Sequence, residues 1–128
     1  MLFRSRLWHL LVAPGFPIPT RTVYQAFSLT VPGPDVKLLH RALRGNDVAG
    51  IRNFLFNTLE PAVEALYPAI RYVKDTIVQK TGVLRPMVSG SGSTVMAVCE
   101  SESEAQAAVQ ALRSAEPGWQ VFVASTGA

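Results

Sequence analysis

Two glycines and three serines alternate within one short stretch, and these residue types are suited to binding a phosphate group. The stretch reads "RPMVSGSGSTVMAVC" over residues 85–99, with Gly90 and Gly92 standing between the serines. Glycines allow backbone N–H groups to approach a ligand without an intervening side chain, and the hydroxyls of Ser91 and Ser93 add donors. A phosphate cradle is therefore one interpretation of this stretch.

The same stretch also suits a tight turn between two strands. A Walker loop requires a lysine that reaches the outer phosphates, and a dinucleotide fingerprint requires a third glycine; "GSGST" has neither. Glycines are common at turn positions where φ must be positive, and "RPMVS" and "TVMAVC" would then lie on either side of the turn. Spacing alone leaves the phosphate cradle and the structural turn equally open.

Side chains that act as metal ligands or nucleophiles are otherwise isolated. Cys99 is the single cysteine, and His9 and His40 have no Cys or carboxylate at ligand spacing. Without such clustering we expect no zinc or iron site. A single cysteine excludes an internal disulfide, which suits the reducing cytoplasm.

Length and composition indicate one globular domain. The chain has 128 residues, of which 48% are hydrophobic and 16% charged, enough for one core and unlike a disordered chain. Its apolar runs are too short to span a membrane, and the N-terminal "MLFRSRLWHLLVAPG" lacks the cleavage pattern of a signal peptide. The net charge of +3 is concentrated in the first third. That bias suits an anionic ligand or simply solvated surface arginines, but no basic run with interleaved aromatics indicates nucleic acid.

Prolines and helix-capping residues divide the first half of the chain into a strand and three helices. Leu7 to Ala13 predicts a buried strand that stops at the proline-rich "PGFPIP". Gly45 is expected to end the second helix, and the third helix is expected to run through Leu55 and as far as Leu59. The predicted N-caps of these three helices are Thr20, Asp35 and Asp47.

An amphipathic helical pattern follows, in which apolar residues recur every three or four positions from Val63 to Ile77. Pro68 lies inside the pattern and predicts a break or kink. Gly82 is expected to close the segment.

The last part of the chain predicts a strand, a helix and a final strand. The first strand is Val95 to Cys99, and "GWQVFVAST" is the last. Between them, Ser103 followed three residues later by Gln106 predicts a capping box at the start of the helix. The whole order predicts an α+β fold, a ferredoxin-like sandwich with helices on one face of a small, mainly antiparallel sheet.

Four quoted segments together resemble a known family. "MVSGSGSTVMAV", followed by an acid-capped helix and "VFVAST", resembles the third motif of the GHMP kinases, the superfamily of galactokinase, homoserine kinase and mevalonate kinase. More narrowly, "LLVAPGFPIPTRTVYQAF", "LFNTLEPAVEALYPAI" and "VSGSGSTV" resemble the C-terminal half of the 4-diphosphocytidyl-2-C-methyl-D-erythritol kinases. The resemblance covers residues 8–126, and the "PGFPIPTRTVY" segment is its most specific part.

The resemblance implies roles for individual residues. Tyr24 matches an aromatic position that stacks on cytosine, and Thr20 would lie beside it at the cytidine end of the substrate. The alternative for Tyr24 is an ordinary core or rim tyrosine. Asn57 fits the family pattern "N-x-L-E", or it forms a hydrogen bond between helices. Four residues match the loop near the transferred phosphoryl group: Gly90, Ser91, Gly92 and Ser93.

The resemblance also implies a missing partner domain. In these kinases the N-terminal domain supplies the ATP-binding loop and the catalytic lysine and aspartate, and no "P-x-x-x-G-L-x-S-S" sequence occurs here. We therefore expect no catalytic residue in this chain. ATP and Mg²⁺ would bind mainly to the N-terminal domain, and the chain alone would transfer no phosphate. Residues 1–5 match nothing in the family. Residues 1–6 are expected to be non-native or disordered, and residues 7–128 are expected to form the substrate-side domain of a cytoplasmic enzyme.

Two other functions stay open. Another GHMP kinase, of the homoserine or phosphomevalonate type, would share the glycine stretch but is not expected to carry "PGFPIPT". A non-catalytic, ferredoxin-like ligand-binding module would need no second domain, and it would bind an effector other than a cytidine diphosphate derivative.

Overall fold

A computed structural model describes residues 7–26, 36–45, 47–55, 57, 59–90 and 92–126. Within these ranges the chain forms four strands and six helices: β1 (Leu7–Ala13), α1 (Thr20–Ala26), α2 (Val36–Arg44), α3 (Val48–Phe54), α4 (Glu60–Leu66), α5 (Ala69–Thr81), β2 (Met87–Val88), β3 (Val95–Cys99), α6 (Glu102–Ala115) and β4 (Gln120–Thr126). None of the helices in the described part has the length and apolarity needed to cross a membrane. The expectations for residues 1–6 and for Asp35 fall outside the described residues.

The first strand forms with the predicted bounds and lies inside the sheet. The strand order is β2-β3-β1-β4, and every neighbouring pair is antiparallel. Leu10 of β1 lies opposite Ala97 on one side and Val123 on the other. The α+β class with a small, mainly antiparallel sheet is thus confirmed, and the two-residue β2 lies within "RPMVS", which only the turn interpretation of the glycine stretch had placed next to a turn between two strands.

One face of the sheet carries the main core. Successive strand residues point to opposite faces, so Trp8, Leu10 and Val12 share this face with Val95 and Ala97. Helices α1, α4, α5 and α6 cover it with buried apolar residues: Val23, Val63, Ile70, Val73, Ile77, Ala105, Ala108, Val109 and Leu112. The predicted amphipathic stripes of α5 and α6 are therefore confirmed.

The opposite face of the sheet is covered in part by α2 and α3. Leu7 and Val98 are buried there against Ala42 of α2 and Ile51 of α3, and Met96 packs beside them. The prediction of helices on a single face was therefore wrong. β3 is apolar at every position, which favours burial of both of its faces, and α2 and α3 bury Val98 on the reverse side.

Most of the predicted helix caps and helix-ending residues occur at their predicted positions. Asp47 caps α3, since its carboxylate accepts a hydrogen bond from the Gly50 N–H at 3.1 Å. Pro68 separates α4 from α5, and Gly82 ends α5 in the left-handed conformation. Gly45 closes α2 through a hydrogen bond from its N–H to the Arg41 carbonyl at 3.1 Å.

Two helix ends differ from prediction. Thr20 is the first residue of α1 rather than its cap, because the Pro19 carbonyl accepts from the N–H groups of Thr22 at 3.0 Å and Val23 at 3.3 Å. Helix α3 ends at Phe54, since Leu55 takes an extended conformation as the C-cap. It therefore does not continue toward Leu59.

The cap of α6 lies two residues earlier than the predicted Ser103. Ser101 is the N-cap, and its hydroxyl accepts from the Glu104 N–H at 3.1 Å. The Glu104 carboxylate reaches back to accept from the Glu100 N–H at 2.9 Å. The helix is therefore capped by Ser101 with Glu104, and not by Ser103 with Gln106. A glutamate is favoured over a glutamine there because an anionic side chain also interacts favourably with the helix N-terminus.

We expect Ser101→Ala to lower the free energy of unfolding by about 1 kcal/mol, because it leaves the Glu104 N–H without its cap. Ser103→Ala is the matched control and should change stability by less than about 0.5 kcal/mol, since it substitutes within the helix. Equilibrium urea unfolding of the two variants measures the difference. A larger loss from Ser103→Ala would contradict this assignment of the cap.

Candidate functional site

The glycine stretch forms the hairpin connection between β2 and β3. The Ser89 N–H donates to the Thr94 carbonyl at 2.8 Å, and the Gly92 N–H donates to the Ser89 carbonyl at 3.1 Å. Gly90 and Gly92 have φ values of 60° and 89°, as the turn interpretation requires. The turn is thus confirmed, whereas contact with a phosphate stays a prediction. Gly90 is exposed, and among the described residues no acceptor faces its N–H group.

The predicted loop contains two serines, Ser91 and Ser93. Ser91 lies outside the described residues, and Ser93 is half-buried next to Gly92.

Gly92 is in close contact with the segment that precedes α1. A Cβ atom built on Gly92 would lie 2.9 Å from Ile18 Cδ1 and 3.4 Å from Val63 Cγ1. Ile18 is buried and stands two residues before Thr20. The structure thus brings together two segments that are far apart in sequence and that the resemblance assigns to one site.

The predicted substrate-binding residues lie on the exposed side of α1. Val23 is buried in the core, and the side chain of its neighbour Tyr24 is 59% exposed. Tyr24 is therefore a surface tyrosine with an accessible ring, and a core role is ruled out. Thr20 is also exposed. Within the described part of the chain, no hydrogen bond or ring contact joins Tyr24 to the glycine hairpin, and the hairpin instead approaches Ile18, six residues before Tyr24.

Asn57 holds the hairpin from outside the sheet. Its Nδ2 atom donates to the carbonyl oxygens of Val88 and Gly90, both at 2.7 Å. Its Oδ1 atom accepts from the Leu59 N–H at 3.1 Å. The side chain therefore ties the start of α4 to the hairpin rather than joining two helices, which corrects the alternative drawn from the sequence.

Glu60 completes this attachment, and the sequence pattern did not single it out. Its Oε2 atom accepts from the Val88 N–H at 2.6 Å, and its Oε1 atom lies 3.3 Å from Lys74 Nζ. Lys74 also contacts Glu64 at 3.2 Å. Glu60 stands three residues after Asn57 in "NTLE", which is the only local signal that could have indicated it. Lys74 comes from α5, and no local sequence signal indicated it.

A groove of about 420 Å³ opens next to these residues. Asn57, Glu60 and Lys74 line it together with Arg85 and Met87, whereas Thr20, Tyr24 and the two hairpin glycines do not. The groove is therefore separate from the surface on which Tyr24 is displayed. Lys74 in this groove is already paired with Glu60 and Glu64, so much of the charge of the lysine is neutralised by these carboxylates.

Burial shifts the pKa values of two further side chains, Cys99 and His9. Cys99 is buried, and desolvation, aided by the Glu104 carboxylate, raises the pKa of its thiol to about 11. The thiol is therefore protonated at neutral pH and is not a nucleophile. Burial lowers the pKa of His9, whose Nε2 atom lies 3.3 Å from Thr126 Oγ1. Among the described residues, no three His, Cys, Asp or Glu side chains come together as a metal site.

The sequence is similar to that of named kinases. The chain is 35% identical over 113 residues to 4-diphosphocytidyl-2-C-methyl-D-erythritol kinase of Citrifermentans bemidjiense, covering 88% of this chain and 39% of the relative. It is 31% identical over 114 residues to the enzyme of the same name from Cereibacter sphaeroides, covering 89% and 41%. The chain thus spans about two fifths of the length of these relatives.

Solved structures share the fold. A structure of 4-(cytidine 5'-diphospho)-2C-methyl-D-erythritol kinase superposes with a TM-score of 0.78 at 24% identity, covering 99% of this chain and 45% of that one. Homoserine kinase from Cytophaga hutchinsonii superposes with a TM-score of 0.71 at 22% identity, covering 94% and 41%. The family model described as "GHMP kinases C terminal" matches residues 36–118. On this match the chain belongs to the GHMP kinase family and carries its C-terminal domain.

Proposed function

We propose that this chain is the substrate-side domain of an ATP-dependent kinase that phosphorylates 4-diphosphocytidyl-2-C-methyl-D-erythritol at its 2-hydroxyl, a step of non-mevalonate isoprenoid precursor biosynthesis. The observation that carries the proposal is the contact of Gly92 with Ile18. It sets the glycine hairpin beside the segment that leads into Thr20 and Tyr24. A cytidine group on Tyr24 and a phosphoryl group at the hairpin would then belong to one surface.

Tyr24 suits a nucleobase because its ring is 59% exposed while the helix beneath it is anchored by the buried Val23. A flat aromatic side chain on a fixed element offers a stacking platform at low cost in conformational entropy. At the hairpin, the exposed Gly90 offers a backbone N–H that an anionic oxygen can accept from. The two ends of a cytidine diphosphate derivative thus have chemically suitable partners.

In the proposed reaction the substrate hydroxyl oxygen forms a bond to the γ-phosphorus of ATP, the bond to the β–γ bridging oxygen breaks, and ADP leaves. Such transfer depends on positioning and charge stabilisation. The described residues would contribute the substrate wall, and the base that accepts the hydroxyl proton would come from an N-terminal kinase domain. Mg²⁺ would bind with ATP mainly at the N-terminal domain, and the described residues contain no cluster of three His, Cys, Asp or Glu side chains.

The proposal is tested by titrating the ¹⁵N-labelled chain with 4-diphosphocytidyl-2-C-methyl-D-erythritol and following the backbone amides by NMR. We expect saturable shifts at Thr20, Tyr24, Gly90 and Gly92. Tyr24→Ala should weaken binding about tenfold or more, because stacking contributes about 1–3 kcal/mol per base.

Tyr72→Ala is the matched control, since the side chain of Tyr72 is 58% exposed but belongs to α5. It should leave the affinity within about twofold. A well-folded sample that shows no shifts, or equal losses from the two tyrosine variants, would refute the cytidine site on α1.

A second candidate follows from the structural likeness to homoserine kinase, whose fold this chain shares with a TM-score of 0.71. Under that alternative, L-homoserine would shift the hairpin amides and the cytidine compound would not. Running both ligands in the same titration separates the two kinases. Shifts with neither ligand would favour a non-catalytic module that recognises a different effector.

A further inference from the structure

Within the described part of the chain, no strand pairs with the outer edge of β2, yet both backbone groups of Val88 are hydrogen-bonded. β2 is an edge strand in the order β2-β3-β1-β4, and Val88 lies opposite Val95. The Val88 N–H donates to Glu60 at 2.6 Å, and its carbonyl accepts from Asn57 at 2.7 Å. Two side chains therefore take the place of a fifth strand and protect this edge.

The amide of Asn57 is used in a way that no other residue type reproduces. Both of its N–H donors are engaged, one with Val88 and one with Gly90, and its oxygen accepts from the Leu59 N–H. This pattern also fixes the orientation of the amide, because only the nitrogen can face two carbonyl oxygens. An aspartate would present a carboxylate to those carbonyls and would repel them.

Lys74 supports the same attachment from α5. Its ammonium group lies 3.3 Å from Glu60 and 3.2 Å from Glu64, and the three side chains are 19–23% exposed. The ion pair between Lys74 and Glu60 keeps the Glu60 carboxylate in position to accept the hydrogen bond from the Val88 N–H. Glu60 thus bonds directly to the hairpin backbone, and Lys74 supports it from α5.

We propose that Asn57 is a positioning residue that, with Glu60 and Lys74, holds the glycine hairpin in the geometry needed to receive the phosphoryl end of the substrate. The inference rests on the function proposed above for its site, but the attachment itself is a property of the free chain. In this proposal Asn57 does not contact the substrate. The hairpin carries the effect, because Gly90 is bonded to Asn57 and Gly92 packs on Ile18.

The test is Asn57→Asp in the ¹⁵N-labelled chain without ligand. We expect hydrogen exchange at the Ser89 and Gly92 amides to accelerate about ten- to hundredfold, since two hydrogen bonds are lost and a charge is left facing carbonyls. Exchange at Ile77, in the middle of α5, should stay within about twofold, which shows that the change is local. Asn53→Asp is the matched control, because Asn53 is an exposed asparagine on α3.

A pH titration of the same variant separates positioning from general destabilisation. Protonating the Asn57→Asp carboxyl restores one donor, so the Gly90 and Gly92 amide shifts should move toward their wild-type positions as the pH falls. The carboxyl should titrate above the usual value of about 4, because the carbonyls disfavour its charge. Wild type and Asn53→Asp should show no such recovery. Unchanged exchange in Asn57→Asp, or shifts that do not recover, would overturn the inference.

If Asn57→Asp does not fold, Glu60→Gln decides the question. Glutamine can still accept from the Val88 N–H but loses its ion pair with Lys74, so exchange at Val88 should rise severalfold with the fold intact. No change at Val88 would then overturn the inference. Addition of the cytidine compound to the wild type and to Asn57→Asp distinguishes the two proposals. If the wild type does not bind it, the proposed function fails while the hairpin attachment still stands.

Discussion

Gly92→Ala should destabilise the chain by about 3 kcal/mol and weaken the proposed substrate site with it. The backbone at Gly92 has φ of 89°, which costs a residue with a side chain about 1–2 kcal/mol. In addition, the new methyl group would lie 2.9 Å from Ile18 Cδ1, so this buried side chain must shift, and we expect a cost near the lower end of the about 1–3 kcal/mol typical of overpacking. Equilibrium denaturation in urea measures the loss.

Gly90→Ala provides the matched control within the same hairpin. Gly90 has φ of 60°, but a Cβ atom there meets nothing within 4 Å. It should therefore cost only about 1 kcal/mol, from backbone strain alone. If the two alanines cost the same, the contact of Gly92 with Ile18 contributes nothing and the link between the hairpin and α1 is lost with it.

Leu10→Ala is expected to have a similarly large effect, a loss of about 2–5 kcal/mol in the free energy of unfolding. Leu10 is completely buried, and it lies in the strand between β3 and β4, where the neighbouring residues cannot easily close the cavity. Thermal and urea unfolding of the purified variant measure the change.

Leu11→Ala is the comparison, since it removes the same atoms from the next residue. Leu11 is half-buried and points to the other face of the sheet, opposite Met96 and Phe122, and the side chain of Phe122 is 48% exposed. We expect a loss of about 1 kcal/mol, because less apolar surface is withdrawn from water. A greater loss at Leu11 than at Leu10 would mean that the strand is shifted by one residue.

The parts of the fold that were predictable from sequence depend on neighbouring residues. Asp47 caps its helix through a hydrogen bond three residues away, and Pro68 interrupts a helix by its own geometry. Gly82 ends one by adopting a left-handed conformation. The strand at Leu7–Ala13 was likewise bounded correctly, because a leucine-rich apolar run ends at three closely spaced prolines.

The features that escaped prediction are made by residues distant in sequence. β2 has only two residues, and it is a strand because its backbone pairs with β3, while the side chain of Asn57 bonds to its outer edge. The packing of α2 and α3 on the reverse face depends on Val98, which a local pattern cannot assign to either side. Within the candidate site, the resemblance indicated the hairpin and Tyr24. The contribution of Lys74 depends on where α5 lies relative to α4.

The position of β1 in the sheet has a consequence for how the chain folds during synthesis. β1 is the first of the described elements to leave the ribosome, yet its hydrogen-bonding partners are β3 and β4, the last two strands. At about 5–20 residues per second, β1 waits roughly 5–20 s for β4 to be made. During that interval an apolar strand with two unpaired edges is exposed to chaperones and to other nascent chains, so the sheet closes late and through non-local contacts.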